Sequence, residues 1–164
     1  LLVTGKIGGQ RHGWNMVCMD GQWYHVDPTW GDASYRQAEA GYPQTAFPVV
    51  NYECFGLTTQ QMEETHVLEE GQYLPECTSV KNAYYRREGL FLETADWGRL
   101  SDIFQKARQQ GSGMVTFQCA DDAVYAQVYD MLIEEQRIFE LLPPDEGKAA
   151  YADSPKKRIL SFWM

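Results

Sequence analysis

The chain has 164 residues, of which 44% are hydrophobic, 23% charged and 13% aromatic, a globular composition that excludes wholesale disorder, collagen and long coiled coil. Against 23 Asp and Glu stand 14 Lys and Arg, a formal charge of −9 that repels phosphate backbones and anionic lipid, so neither nucleic acid nor a membrane surface is an expected partner. The length suits one ordinary domain or two small ones, and no apolar run approaches the roughly 18 residues of a membrane span.

In chain order, Gly5-x-x-Gly8-Gly9 lacks the helix pattern and Lys-Ser/Thr of a phosphate loop, so no organic cofactor is expected. Trp14 to Asp27 reads as two aromatic and β-branched runs joined at Asp20-Gly21, a dipeptide suited to a type I′ hairpin turn. Apolar residues fall on both faces of this hairpin, which predicts a central position covered on both sides. From Pro28 to Pro48 the text is irregular loop, and Phe47 to Phe55 offers a strand. Thr58 and Gln61 have the form of a capping box, predicting a helix over about Gln60 to His66. His66 then sits at a helix end, where an imidazolium complements the dipole.

Loop chemistry over Glu69 to Ser79 suggests a boundary, giving units 1–77 and 78–164. The second unit reads as an α+β arrangement, β-α-β-α-β. Its elements are a strand over Tyr84 to Glu93 and a helix with the stripe Leu100, Ile103, Phe104 and Ala107 closed by Gly111. A strand over Met114 to Cys119 follows, then a helix capped by Asp121 and Asp122 with Val124, Val128, Met131 and Leu132 buried, and a final strand over Arg158 to Trp163.

The chemistry lies in the hairpin. With a two-residue loop, Trp14 faces Asp27 and His12 lies diagonally beside Asp27 on the same face, within reach of its carboxylate. A carboxylate that orients an imidazole makes it a base, which is two thirds of a catalytic triad. The third member is not found among Cys18, Cys54, Cys77 and Cys119. Cys18 lies roughly 20 Å from His12 at about 3.3 Å per residue. Cys119 sits at a helix start whose Asp121 and Asp122 oppose thiolate formation, and Cys54 and Cys77 have no basic neighbour in sequence. There is no CxxC and no Cys/His finger spacing, so the cysteines read as buried thiols, with one or two disulfides open in an exported protein. A His12, His25 and Asp27 metal set lacks a fourth ligand and spreads along the sheet, so no metal is expected, and His25 reads as a core histidine. Acidic residues are abundant but nowhere spaced as a calcium loop.

His12-Gly-Trp-Asn15, followed by Asp20-Gly-Gln-Trp-Tyr-His-Val-Asp-Pro-Thr-Trp-Gly-Asp32, resembles the His and Asp motifs of the transglutaminase-like superfamily of papain-type cysteine enzymes. The resemblance is specific over about residues 5–32 and runs more weakly to about Cys77. It implies that His12 is the base or ion-pair partner, that Asp27 orients it, and that a cysteine upstream of Leu1 is the nucleophile. Residues 1–77 would then be the C-terminal, β-rich half of the core, and the Leu1 start reads as a processed or truncated product. The implied function is a fragment of a bacterial thiol acyltransferase, peptidase or amidase acting on protein or peptide carboxamide or peptide bonds, inactive alone, with an extracellular or cell-surface location. The alternative is a non-catalytic module binding peptide or glycan. Trp14, Asn15 and Trp30 are cleft-lining candidates, although Trp14, Trp23 and Trp30 also suit a core. A truncated core would expose a sheet edge near Leu1 to Gly9 and self-associate.

Overall fold

The computed structural model describes residues 1–31, 51–143 and 149–164. The expected loop from Pro28 and the start of the expected strand at Phe47 therefore fall largely outside the described residues. Helices and strands are mixed in an α+β fold with two sheets, in two compact units, Leu1–Arg87 and Glu88–Met164.

In the first unit β1 (Leu2–Ile7), β2 (Gln10–Met19), β3 (Gln22–Val26), β4 (Phe55–Leu57) and β5 (His66–Leu68) form one antiparallel sheet in the order β4-β3-β2-β1-β5, with α1 (Thr59–Glu63) and α2 (Tyr84–Arg87) beside it. The β2-β3 hairpin has the expected two-residue loop: Met19 pairs with Gln22, and Asp20 and Gly21 take φ of 52° and 75°, the left-handed pair that a type I′ turn requires. Val3, Trp14 and Met16 point inward and join Leu57, Met62, Cys54 and Cys77 in the core.

The expectation that both faces of the hairpin are covered holds only on β3. On β2 Gly13, Asn15 and Val17 are exposed, whereas on β3 the adjacent Tyr24 and His25 are both buried. Tyr24 is covered from the far side by the chain beyond Cys77, its hydroxyl donating to Ser79 Oγ at 2.9 Å, and the Tyr84 ring stacks on Tyr52 at 3.7 Å between centroids. Residues 78–87, assigned by sequence to the second unit, therefore pack with the first. The expected exposed edge near Leu1 to Gly9 is covered in part: β5 pairs with Gly5, Lys6 and Ile7 of β1, while Leu1 and Leu2 stay exposed, and the sheet ends at the three-residue β4 and β5.

The capping box forms as expected, Gln61 N–H donating to Thr58 Oγ1 at 3.1 Å and Thr58 N–H to Gln61 Oε1 at 3.0 Å. The helix is shorter than the expected Gln60 to His66, because α1 ends at Glu63 and His66 opens β5. Likewise the strand expected to end at Phe55 instead begins there.

The second unit contains β6 (Phe91–Leu92), α3 (Trp97–Gln109), β7 (Met114–Cys119), α4 (Asp122–Tyr129), β8 (Ala150–Ser154) and β9 (Ile159–Trp163), with sheet order β6-β7-β9-β8. β6 and β7 are parallel and joined through α3, whose Leu100, Ile103 and Phe104 pack on Phe117 and Phe162. The Asp121 carboxylate caps α4, accepting from Val124 N–H at 2.9 Å, and Val124, Val128 and Leu132 are buried while Met131 is only partly so. The strand expected over Tyr84 to Glu93 is mostly absent: burial of Tyr85 and stacking of Tyr84 favour α2, and only Phe91–Leu92 pairs. β8 was not expected, since Ala, Asp and Ser carry little strand propensity and an edge position asks for little. No helix among the described residues is long and apolar enough to cross a membrane.

Candidate active site

The site sits where the inner face of the first sheet meets the end of β3. His12 projects from β2 and Asp27 follows β3 directly, its backbone N–H fixed by Cys54 O at 2.9 Å. The carboxylate is buried and accepts three hydrogen bonds: His12 Nε2 lies 2.6 Å from Oδ2, His66 Nε2 lies 3.0 Å from the same oxygen, and Thr29 N–H donates to Oδ1 at 3.0 Å. Burial alone raises the pKa of Asp27, but the hydrogen bonds from His66 and His12, the His12 charge and the Thr29 amide together outweigh it, so the carboxyl titrates below its ordinary range.

An ionised carboxylate only accepts, so both imidazoles donate from Nε2. In the neutral form of each ring Nδ1 is then an acceptor, and that of His66 meets Thr65 Oγ1 at 2.8 Å. Nδ1 of His12 carries a lone pair with no hydrogen-bond partner among the described residues. The two imidazoles thus share one orienter, and of the two only His12 has an Nδ1 without a partner among the described residues.

Trp14 is the platform under this cluster. Its ring is fully buried, stacks near His12 at 6.2 Å and presents its edge to His66 at 4.9 Å. The indole reaches across β1 because the residue opposite His12 is Gly5: a Cβ there would lie 2.7 Å from the ring and 2.2 Å from Val67 O. Its Nε1–H donates to His25 Nδ1 at 3.0 Å, and His25 Nε2 donates in turn to Thr59 Oγ1 at 3.3 Å. With both nitrogens engaged, His25 is the expected core histidine. Burial first, and the charge of His66 second, push its pKa down to about 4, so it is neutral at pH 7.

Of the residues singled out by sequence, His12 and Asp27 come together as expected. Trp14 lies beneath the pair rather than along a cleft, Asn15 is exposed on the opposite face of β2, and Trp30 packs partly buried against the core of the first unit. The metal set weighed from sequence is also revised, because His25 is spent on Trp14 and Thr59 and the third side chain at the cluster is His66. His66 was missed through the overlong helix, and no local pattern marks it: in His66-Val67-Leu68 the polar His66 is the buried residue and the apolar Val67 the exposed one.

None of the four cysteines is in a disulfide. Burial, with Asp121 adding to it and Arg158 opposing, pushes the Cys119 thiol up to about 12, and burial raises Cys77 despite a hydrogen bond from Thr59. Both shifts oppose thiolate formation. Cys18 is exposed near the hairpin turn and Cys54 is buried. No protein-family model matches the chain, and no curated protein matches it.

Proposed function

We propose that Leu1–Arg87 carries the base and orienter of a transglutaminase-like thiol acyl-transfer centre that acts on carboxamide or peptide bonds of a protein or peptide, the nucleophilic thiol coming from outside the four cysteines of this chain. The observation that carries it is the 2.6 Å contact between His12 Nε2 and Asp27 Oδ2, made by an imidazole that is 18% exposed and whose Nδ1 has no partner among the described residues.

A thiol brought to Nδ1 of His12 gives its proton to that nitrogen as the sulfur attacks the carbonyl carbon, and Asp27 stabilises the imidazolium. The imidazolium returns the proton to the leaving amine or ammonia as the C–N bond breaks, leaving a thioester. Water or an amine then attacks the thioester, Nδ1 taking its proton and passing it to the departing sulfur. A non-catalytic module gripping peptide or glycan through its tryptophans draws little from Trp14, which is fully buried.

The test is amine incorporation and carboxamide hydrolysis by the full-length gene product beside residues 1–164 alone. Turnover is expected only in the full-length product and is abolished by His12→Ala. No turnover there, or turnover indifferent to His12→Ala, overturns the proposal. Turnover by residues 1–164 that needs His12 would return the thiol to this chain.

A further inference from the structure

We infer that His12, Asp27 and His66 also form a site for one divalent transition-metal ion of the zinc class, and that the ion silences the base. One ligand atom from each side chain lies within 4.8 Å of the others, and the donor set of two imidazoles and one carboxylate is the one that zinc and its neighbours favour. Tetrahedral bonds of about 2.0–2.2 Å hold ligand atoms roughly 3.3–3.6 Å apart, so the contacts of 2.6 and 3.0 Å at Oδ2 open by about 1 Å or less while the two imidazole nitrogens, within 4.8 Å of each other, close by at most about 1.5 Å.

The surroundings are already those of a metal shell. Thr65 Oγ1 fixes the His66 ring through Nδ1, Thr29 N–H holds Oδ1, and Trp14 supports both imidazoles. Asp27 and His66 side chains are 0% and 2% exposed, whereas that of His12 is 18% exposed, so an ion arrives past His12 and keeps its fourth position toward solvent. The carboxylate offsets one of the two positive charges, and a chain of net charge −9 favours the rest.

Binding requires a change of tautomer but no net loss of protons. Each imidazole gives its Nε2 lone pair to the ion and carries its proton on Nδ1. The Thr65 hydroxyl accommodates this, because it accepts from Nδ1–H as readily as it donates to bare Nδ1. On His12 the same shift places a proton on the nitrogen that would receive one from the thiol. Silencing therefore rests on the acyl-transfer proposal; metal binding does not.

Residues 1–164 are titrated with Zn²⁺ by calorimetry, and with Co²⁺ by visible absorption, after stripping with a chelator. One equivalent is expected to bind. His66→Asn and Asp27→Asn, checked for folding by circular dichroism, should weaken binding by more than the roughly 10–100-fold typical of losing an outer-sphere partner, while Cys18→Ser leaves it unchanged. In the wild-type chain ¹⁵N NMR should show His12 and His66 passing from the Nε2–H to the Nδ1–H form as Zn²⁺ is added. No saturable binding, binding undiminished in both variants, or tautomers indifferent to Zn²⁺ overturns the inference. Because no thiol is needed, these outcomes are separable from those of the turnover assay.

Discussion

The indole N–H of Trp14 donates to Nδ1 of His25 across 3.0 Å and so decides which nitrogen of that buried imidazole holds the proton. The same ring touches the two histidines that share Asp27, so one side chain links all three imidazoles of the chain. Trp14→Phe keeps an aromatic ring but removes the donor and part of the volume. It should cost about 2–4 kcal/mol in urea unfolding. An unchanged midpoint would mean that the indole does not support the cluster.

Gly5→Ala tests the same packing from the opposite side. Its Cβ would overlap Val67 O, a backbone atom held in the β1-β5 ladder, so the strands must part or Trp14 must leave. We expect a loss of about 3 kcal/mol or more, or no soluble folded protein. A variant as stable as wild type would show that the indole does not lie across β1.

Acid should weaken the metal-free fold in two stages. The unfolded chain protonates His25 near its ordinary 6.5, whereas the folded chain does so only near 4, so stability is complete above that window and declines through it, by on the order of 3 kcal/mol. Asp27, whose native pKa lies below the ordinary 3.8, adds a further decline at lower pH as its carboxylate is neutralised. Urea midpoints from about pH 7 to about pH 4 for the first stage, and on down to about pH 2 for the second, measured with a chelator present, give the slopes. A native His25 resonance titrating near 6.5 would remove the first stage.

On the acyl-transfer proposal, Asp27→Asn should lower kcat of the active enzyme by roughly 10³–10⁴-fold with little change in KM, because the carboxylate would orient His12 and stabilise its cation. A rate within a factor of two of wild type would leave Asp27 a structural acceptor only.

Thiol labelling separates the cysteines. In the native chain Cys18 should react with iodoacetamide quickly, and buried Cys54, Cys77 and Cys119 only after unfolding, with the raised thiols of Cys77 and Cys119 adding to the protection. Mass spectrometry then finds one label before denaturation and four after. A fast second label that disappears in His12→Ala would place the nucleophile inside this chain.

The hairpin and its register were legible because Asp20-Gly21 admits one turn geometry, and a period of two then carries His12 to Asp27. The helical stripe of α3 and the Asp121 cap were legible for the same local reason. His66 was not, since its place depends on α1 stopping at Glu63 and on Gly5 leaving room for an indole, neither of which is written near His66. β8 and α2 were hidden too: the first is an edge strand of weak propensity, and the second owes its form to Tyr52, far away in sequence.

The bond from Tyr24 to Ser79 bears on how this chain can be divided. Cutting after Cys77 would strip away Ser79, Tyr84 and Tyr85 and open a wet, apolar wound behind β3, back to back with the histidine cluster. Residues 78–87 therefore belong with Leu1–Arg87 in any piece meant to keep Asp27 and its two histidines in place.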